Sequence, residues 1–171
     1  MSGGLAPVVT IVPADLDDPR LDTLLAEHLA EMEPTAPPES RHALTAEQFR
    51  LPGVRLWVAL SAESAGGAEG ADTAYLGSVA LKELEAGHLE LKTMRVAASA
   101  RGLGLGRLLL DHALAEARAA GAQRVSLETG VVPVFEAART LYAGAGFTPC
   151  PPFGAYREDR HSVFMTLELT S

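Results

Sequence analysis

The sequence predicts a mixed α/β fold of the α+β kind, in a single domain that spans residues 1–171. Two observations support this fold class. Three consecutive strand patterns in the first part of the chain are joined by local connections, which is typical of an antiparallel meander. Strand and helix patterns alternate in the second part, which favours parallel pairing there. The chain is 47% hydrophobic and 21% charged, a composition that suits one substantial core.

The chain begins with an apolar strand pattern at 8–12, which is followed by a helix pattern at 17–32. Asp18 stands where an N-cap is needed, and Pro19 occupies the first helical position, where a missing N–H group costs nothing. Apolar residues then recur at helical spacing. His28 lies within this helix and is expected at the surface.

A stretch rich in proline, 34–40, separates the first helix from the next element. Thr45 and Gln48 have the spacing of a capping box, in which each side chain bonds the backbone N–H group of the other residue. This spacing predicts a short second helix at 45–49. His42 precedes it and is expected at the surface.

The meander consists of strand patterns at 54–60, 75–84 and 88–98. Between the first two lies the segment 61–74, SAESAGGAEGADTA, which has no apolar periodicity. Such a composition predicts a long hairpin loop. The second and third strands are joined by a short turn, so all three strands are expected to pair in sequence order.

A glycine run marks the start of the second part of the chain. The run is RGLGLG at 101–106, and a helix pattern follows it directly; a strand pattern at 123–129, a helix pattern at 134–145 and a closing strand pattern at 161–169 come next. Glycines between a strand and a helix leave backbone N–H groups accessible, and the helix N-terminus carries partial positive charge. The run therefore suits a phosphate group.

Arg101 and Arg107 flank the glycines and would add charge-assisted hydrogen bonds to a phosphate. Two well-known phosphate patterns do not fit the run. The P-loop needs a Gly-Lys-Ser/Thr ending, which is absent, and the dinucleotide fingerprint needs glycine where Arg107 stands. A flexible loop whose glycines serve only for packing stays open as the alternative.

The formal net charge of −8 disfavours a non-specific nucleic-acid binder, because phosphate contacts need a basic face. The same charge repels anionic ligands at long range, so a phosphate site here needs strong local donors. No apolar run reaches the roughly 18 residues of a membrane span, and the first residues lack the pattern of a signal peptide. We therefore expect no nucleic-acid or membrane partner, no metal site and a cytoplasmic location.

Three features together resemble the GNAT superfamily of acyl-CoA N-acyltransferases. The glycine run matches the pattern [RQ]-x-x-G-x-[GA], the strand 90–96 precedes it at the usual distance, and the segment 138–147, ARTLYAGAGF, matches A-x-x-L-Y-x-x-x-G-F. With the closing strand, the resemblance covers roughly residues 75 to 170. It implies a mixed central sheet with an antiparallel meander, a parallel splayed centre and flanking helices.

The resemblance implies that acetyl-CoA is the co-substrate. In this family the amides of the glycine loop bind the pyrophosphate, and the edge of the preceding strand pairs with the pantetheine arm in the manner of an added strand. The residues implied in donor binding are Met94, Arg95, Val96, Arg101, Gly102, Leu103, Gly104, Leu105, Gly106 and Arg107.

A primary amine with a pKa near ~10 is protonated at neutral pH and must lose a proton before it attacks a thioester. Glu90, on the strand beside the expected thioester, is the first candidate for the base, and Glu128 is the second. His88 and His161 are further candidates, although each lies at a strand start and is expected to be exposed. Tyr142 occupies the position of the family's general-acid tyrosine.

The acceptor pocket is expected near the last hairpin, and the residues predicted to line it are Glu128, Tyr156, Arg157 and Arg160. The arginines suit an acceptor carboxylate, whereas the negative net charge suits a cationic amine. Phe135 departs from the family, which often has Asn there, so one contact to CoA stays open.

The predicted function is N-acetyl transfer by direct sequential attack on an amine of a small molecule or peptide. The alternative is a non-catalytic acyl-CoA-binding module, and a homodimer is expected at the level of the family.

Overall fold

The computed structural model describes residues 9–61 and 75–169, and a mixed seven-stranded sheet runs through these residues in the order β1-β2-β3-β4-β5-β7-β6. The strands are β1 (Val9–Pro13), β2 (Val54–Ser61), β3 (Gly77–Glu85), β4 (His88–Val96), β5 (Arg124–Gly130), β6 (Thr148–Pro149) and β7 (Ser162–Glu168). The α-helices are α1 (Pro19–Met32), α2 (Leu105–Ala119) and α3 (Glu136–Gly144). Apart from Ser61, the predicted loop at 61–74 lies outside the described residues.

Helix α1 begins as predicted. The side chain of Asp18 accepts a hydrogen bond from the backbone N–H group of Arg20 at 2.8 Å, and Pro19 is the first helical residue. The hydroxyl group of Tyr75 donates to the same carboxylate at 2.8 Å. Hydrogen bonds from Arg20 and Tyr75 hold the pKa of Asp18 below its ordinary value. The cap therefore ties the start of α1 to Tyr75, just before β3.

The predicted second helix at 45–49 is wrong in extent. The capping box itself forms, because the amide of Thr45 donates to the side chain of Gln48 at 2.8 Å and the amide of Gln48 faces the hydroxyl group of Thr45 at 3.4 Å. Only a single 3-10 turn, Gln48–Arg50, follows. Pro52 and Gly53 end the segment before enough helical hydrogen bonds can form to offset the unfavourable free energy of helix nucleation.

Strands β1 to β4 pair antiparallel in sequence order, so the predicted meander is confirmed. The parallel pairing expected for the second part is confined to β4 and β5, because β5 pairs antiparallel with β7. The reason is the short strand β6, which pairs antiparallel with β7 and reverses the chain after α3. This two-residue strand ends in Pro149 and has too little apolar alternation to be recognised in the sequence.

Helices cover both faces of the sheet. Successive residues of β2 alternate between two hydrophobic clusters, with Trp57 in the cluster beneath α2 and α3, and Val58 in the cluster beneath α1. This alternation follows from the two-residue period of a strand. Leu21 of α1 and Leu109 of α2 are almost fully buried on opposite faces. The helices that carry the candidate site are thus fixed against one rigid sheet.

The centre of the sheet is split. Pairing between β4 and β5 covers only three residue pairs and ends at Glu90 and Ser126. Beyond that point β4 contains a bulge, where its register with β3 shifts and Thr93 adopts a φ angle of 52°. A bulge bends a strand and increases its twist. The last residues of β4 therefore diverge from β5, which confirms the splayed centre.

Gly77 on β3 permits the close packing of this bent strand. A Cβ atom at Gly77 would lie 2.6 Å from the carbonyl oxygen of Arg95 and 2.9 Å from Leu109. Both distances are shorter than real contacts, so only glycine fits without displacing β4 or α2.

None of the helices within residues 9–61 and 75–169 is long and apolar enough to cross a membrane. The same residues contain no group of three or more histidine, cysteine, aspartate or glutamate side chains arranged to hold a metal ion.

Candidate active site

Three adjoining cavities follow the split in the sheet. A groove of about 420 Å³ runs past the glycine loop between α1, the end of β4 and α3, and we call it the glycine-loop groove. A central cavity of about 110 Å³ lies between β4 and β5. An outer cleft of about 480 Å³ opens beside the 155–159 segment. The groove and the central cavity share Tyr142, and the central cavity and the cleft share Glu90.

Two glycines of the run keep the groove open. Gly102 and Gly104 have φ angles of 81° and 79°, and a Cβ atom at either position would meet nothing within 4 Å. Gly104 is the N-cap of α2 and provides no side-chain cap. The first N–H groups of a helix have no partner within the helix, so those of α2 are available to an anion in the groove.

Gly106 has a different role in the same run. A Cβ atom there would lie 3.3 Å from Leu141 on α3 and 3.8 Å from Val96 on β4. The third glycine therefore allows α2 to pack closely against α3 and the end of β4. The packing explanation holds for this glycine, and the anion-site explanation fits the other two.

The predicted backbone edge is present. Met94, Arg95 and Val96 line the groove, and they follow the last residue of β4 that pairs with β5. Their other side pairs with β3 through Ser78 and Gly77. Backbone groups of β4 that face the split therefore have no strand partner within the described residues, which suits an extended, amide-bearing chain.

The charged flanks of the loop are engaged with carboxylates. Arg101 lines the groove, and its guanidinium group lies 3.2 Å from Glu31 of α1. Arg95 is buried and donates to the same carboxylate at 2.9 Å. Arg107 pairs with Asp111 at 2.9 Å and is not among the residues that line the groove. Leu103 is exposed and also lies outside that lining.

Tyr142 lies at the junction of the groove and the central cavity. It is 6% exposed, and Phe147 packs against its ring. Burial, with the Glu128 carboxylate nearby, raises the pKa of Tyr142 above its ordinary value. The hydroxyl group therefore keeps its proton at neutral pH.

Glu90 is buried in a polar cluster. Its carboxylate lies 3.2 Å from the ammonium group of Lys92 and accepts a hydrogen bond from the hydroxyl group of Tyr156. Lys92 also donates to that hydroxyl group at 2.9 Å. Burial and the neighbouring Glu90 raise the pKa of Tyr156. Glu90 is thus at the expected place, but its lone pairs already have two partners.

Glu128 is the second predicted base, and it faces the central cavity from β5. Burial raises the pKa of this carboxyl group. No ion pair within 4 Å involves Glu128 among the described residues. A partly buried carboxylate without an ionic partner is a better proton acceptor than one held by lysine and tyrosine.

Two histidines expected at the surface line cavities instead. His28 faces both the groove and the central cavity, and burial lowers its pKa to about 4, with the Arg95 guanidinium adding to the effect. His42 lines the central cavity and the cleft, and its ring packs edge-on against Tyr156. His28 follows Leu21 and Leu24 at helical spacing, a signal that could have placed it on the inner face.

The two histidines considered as bases differ in position. His88, expected to be exposed, is 7% exposed, and its ring lies 2.7 Å from the hydroxyl group of Ser126. It lines none of the three cavities. His161 does line the central cavity.

The remaining predicted acceptor residues are spread over the rim. Tyr156 and Arg157 line the outer cleft, whereas Arg160 lies outside the three cavities with its side chain against His161.

Phe135 lines both the groove and the central cavity. A Cβ atom at Gly130 would overlap the Phe135 ring at 2.4 Å, so this glycine makes room for an apolar wall. Arg41 also lines the central cavity and was not predicted, because no motif marks it.

Comparison with known proteins agrees with this geometry. The model of the acetyltransferase (GNAT) family matches residues 21–147. The uncharacterised N-acetyltransferase YsnE of Bacillus subtilis is 43% identical over 155 residues, which cover 91% of this chain and 96% of YsnE. The uncharacterised N-acetyltransferase YedL of Escherichia coli is 40% identical over 160 residues, which cover 94% of each chain.

Among solved structures, YncA from Salmonella typhimurium, determined with acetyl-CoA, superposes with a TM-score of 0.65 at 21% identity and covers 95% of each chain. This similarity supports the fold. The family match and the two relatives show more: the chain belongs to the GNAT family of acetyltransferases and is an acyltransferase. The resemblance noted in the sequence and the fold that it implied are confirmed.

Replacing Gly104 by valine should abolish acetyl-CoA binding. A β-branched side chain at a φ angle of 79° is strained, and its methyl groups would occupy the open space beside the helix N-terminus. Isothermal titration calorimetry with acetyl-CoA measures the effect, and we expect a loss of about 10²-fold or more, since several charge-assisted hydrogen bonds are lost together.

Gly121 supplies the matched control. It has a φ angle of 78° and open space around it, but it lies at the other end of α2. Gly121→Val should lower the melting temperature through the same backbone strain and leave acetyl-CoA affinity unchanged. Equal affinity losses in both variants would refute the assignment of Gly104 to an anion site.

Proposed function

We propose that the protein transfers an acetyl group from acetyl-CoA to a primary amine of a small molecule, by direct attack in a complex that holds both substrates. The position of Tyr142 carries the proposal. Its hydroxyl-bearing ring lines both the glycine-loop groove and the central cavity, so one proton donor reaches both spaces. A donor and an acceptor that occupy these two adjoining spaces at the same time can react directly, without a covalent intermediate on the protein.

Acetyl-CoA fits the groove by the chemistry of its walls. The open glycines and the uncapped N-terminus of α2 suit the pyrophosphate, and the unpaired edge of β4 suits the amides of pantetheine. Arg101 can exchange Glu31 for a phosphate oxygen, because both are half-exposed at the groove. The residues proposed for donor binding are Met94, Arg95 and Val96 through the backbone, and Arg101 to Arg107 through backbone amides, with the Arg101 guanidinium group adding charge.

We propose Glu128 as the general base, ahead of Glu90. The ammonium group of the acceptor transfers a proton to the Glu128 carboxylate, and the freed lone pair attacks the carbonyl carbon of the thioester. A backbone N–H group on the open edge of β4 stabilises the charge that develops on the carbonyl oxygen. Glu90, held by Lys92 and Tyr156, keeps the cavity wall in place.

Tyr142 then protonates the leaving sulfur as the C–S bond breaks. An ordinary tyrosine has a pKa of about 10 and an ordinary thiol a pKa of about 8.5. Proton transfer from tyrosine to thiolate is therefore unfavourable by about 2 kcal/mol, and by more where burial raises the pKa of Tyr142. The first proton that Glu128 takes from the ammonium group can pass to the Tyr142 oxygen and offset this cost. The freed Glu128 carboxylate then takes the second proton, which the nitrogen loses as the amide forms. The proximity of Glu128 to Tyr142 supports such a relay.

The alternative, a non-catalytic acyl-CoA-binding module of the same fold, predicts acetyl-CoA binding without turnover. The family match and the relatives, which are named N-acetyltransferases, show an acyltransferase, so the module is not the proposed function. Thermal shift with acetyl-CoA followed by thiol release with a panel of amines separates the two. A shift with turnover supports catalysis, and a shift without turnover on any acceptor supports the module.

Tyr142→Phe should lower kcat by on the order of 10²-fold while acetyl-CoA affinity stays within about twofold, because only the proton donor is lost. Steady-state thiol release and calorimetry measure the two quantities.

Tyr75→Phe is the matched control, since Tyr75 is also buried but belongs to the cluster beneath α1. It should cost about 1 kcal/mol of stability through the lost bond to Asp18 and leave kcat intact. Full activity of Tyr142→Phe would exclude Tyr142 as the acid.

Glu128→Gln should change the pH dependence of kcat/KM. In the wild type the base must be deprotonated, so kcat/KM falls as pH drops through the pKa of Glu128, which burial raises above its ordinary value, and is level from there to the pKa of the amine. Without the base, only the neutral amine reacts, so kcat/KM should be lower and rise with unit slope up to the pKa of the amine. Glu47→Gln, at an exposed position, is the control. An unchanged profile in Glu128→Gln would exclude Glu128 as the base.

A further inference from the structure

Arg41 lines the central cavity without a partner. It follows the 3-10 turn Pro38–Ser40, and its Nε atom is buried with no hydrogen bond. Within the described residues its side chain forms no ion pair or hydrogen bond. A buried donor that lacks an acceptor costs free energy unless something else supplies one.

The lysine and the other arginines near this cavity are either paired with a carboxylate or lie away from it. Lys92 is paired with Glu90 at 3.2 Å, and Arg95 is paired with Glu31 at 2.9 Å. Arg157 is exposed on the outer cleft, and Arg160 lies outside the cavities. Arg41 therefore supplies the unpaired guanidinium group of the central cavity, among the residues that the structure describes.

The cavity also contains a carboxylate, that of Glu128. Glu128 forms no ion pair with the described residues, and it lines the same space of about 110 Å³. A diamine in this space would leave Arg41 unpaired and repelled, and a dicarboxylate would do the same to Glu128. A small zwitterion supplies one charge of each sign and satisfies both groups.

We propose that the acceptor is a small amino acid, whose carboxylate binds Arg41 while its amine faces Glu128 and the thioester. This inference rests on the proposed function, because it assigns the amine end to the base named there. A guanidinium group binds a carboxylate through two parallel hydrogen bonds, so Arg41 fixes the acceptor in one orientation.

The wall that holds Arg41 is tied to the opposite rim. Ser40 is buried, and its hydroxyl group, together with the backbone N–H group of His161, holds the pKa of Asp159 below its ordinary value. That N–H group donates to the Asp159 carboxylate at 2.8 Å. The turn before Arg41 therefore lies next to the segment before β7.

The test compares each of a panel of α- and ω-amino acids with the matching amide or decarboxylated amine, by thiol release with acetyl-CoA. For the best acceptor, the wild type should prefer the acid by about 10- to 100-fold in kcat/KM. This factor corresponds to the usual free energy of hydrogen bonds between charged groups, here Arg41 and the carboxylate. Arg41→Met should abolish that preference and leave acetyl-CoA affinity within about twofold. Arg41→Lys keeps the positive charge but cannot form the two parallel hydrogen bonds, so it should restore part of the preference.

Arg118→Met is the control, because Arg118 is exposed on α2 and lines none of the three cavities. It should behave as the wild type, and melting temperatures of all variants verify folding. Equal or better turnover of the amides, or a preference for acids that survives in Arg41→Met, would overturn the amino-acid assignment and leave the proposed acetyl transfer intact. Acetyl-CoA binding without turnover of any acid or amine would overturn both.

Discussion

The point at which β4 leaves β5 determines the rest of the site. Had the two strands remained paired beyond Glu90 and Ser126, the edge of β4 would have been covered and no cavity would lie between them. The bulge at Thr93 causes the separation, and Gly77 permits it by letting β3 and α2 pack tightly behind the bent strand. One local irregularity thus exposes backbone groups of β4 and opens the cavity between β4 and β5.

The charges of the site follow from the negative charge of the chain. A protein with a net charge of −8 repels a CoA-like anion at long range. The compensation is local, with backbone amides at a helix end and arginines beside them. Glu31 binds both Arg95 and Arg101, so the groove-side guanidinium groups are held in position before any anion arrives. In the proposed donor complex, a phosphate would displace this carboxylate from Arg101.

The residues of the donor site could be predicted from the sequence, because each group of them occupies one continuous segment. The glycine run, the strand before it and the segment with Tyr142 each occupy a short stretch with fixed spacing, and all three lie around one groove in the structure. The acceptor side could not be read in this way. Arg41, His28 and Glu128 come from three distant segments, and only the fold brings them to one cavity.

The errors also have physical causes. A capping box at Thr45 and Gln48 indicates a helix start, but the proline and glycine that follow allow only a single 3-10 turn. Alternation of strands and helices favours parallel pairing, yet the two-residue strand β6 turns the chain and makes β7 antiparallel to β5. His88 begins a strand and was expected in solvent, whereas Phe153 and Ser126 bury its ring.

The central claim is that the split edge of β4 and the N-terminus of α2 together receive the acetyl donor. Amide hydrogen exchange with and without saturating acetyl-CoA tests it directly. The account predicts slower exchange in two segments, Met94–Val96 and Leu105–Arg107, with little change in β1 or in α1 before His28. Unchanged exchange in both segments, with protection on another surface, would contradict it.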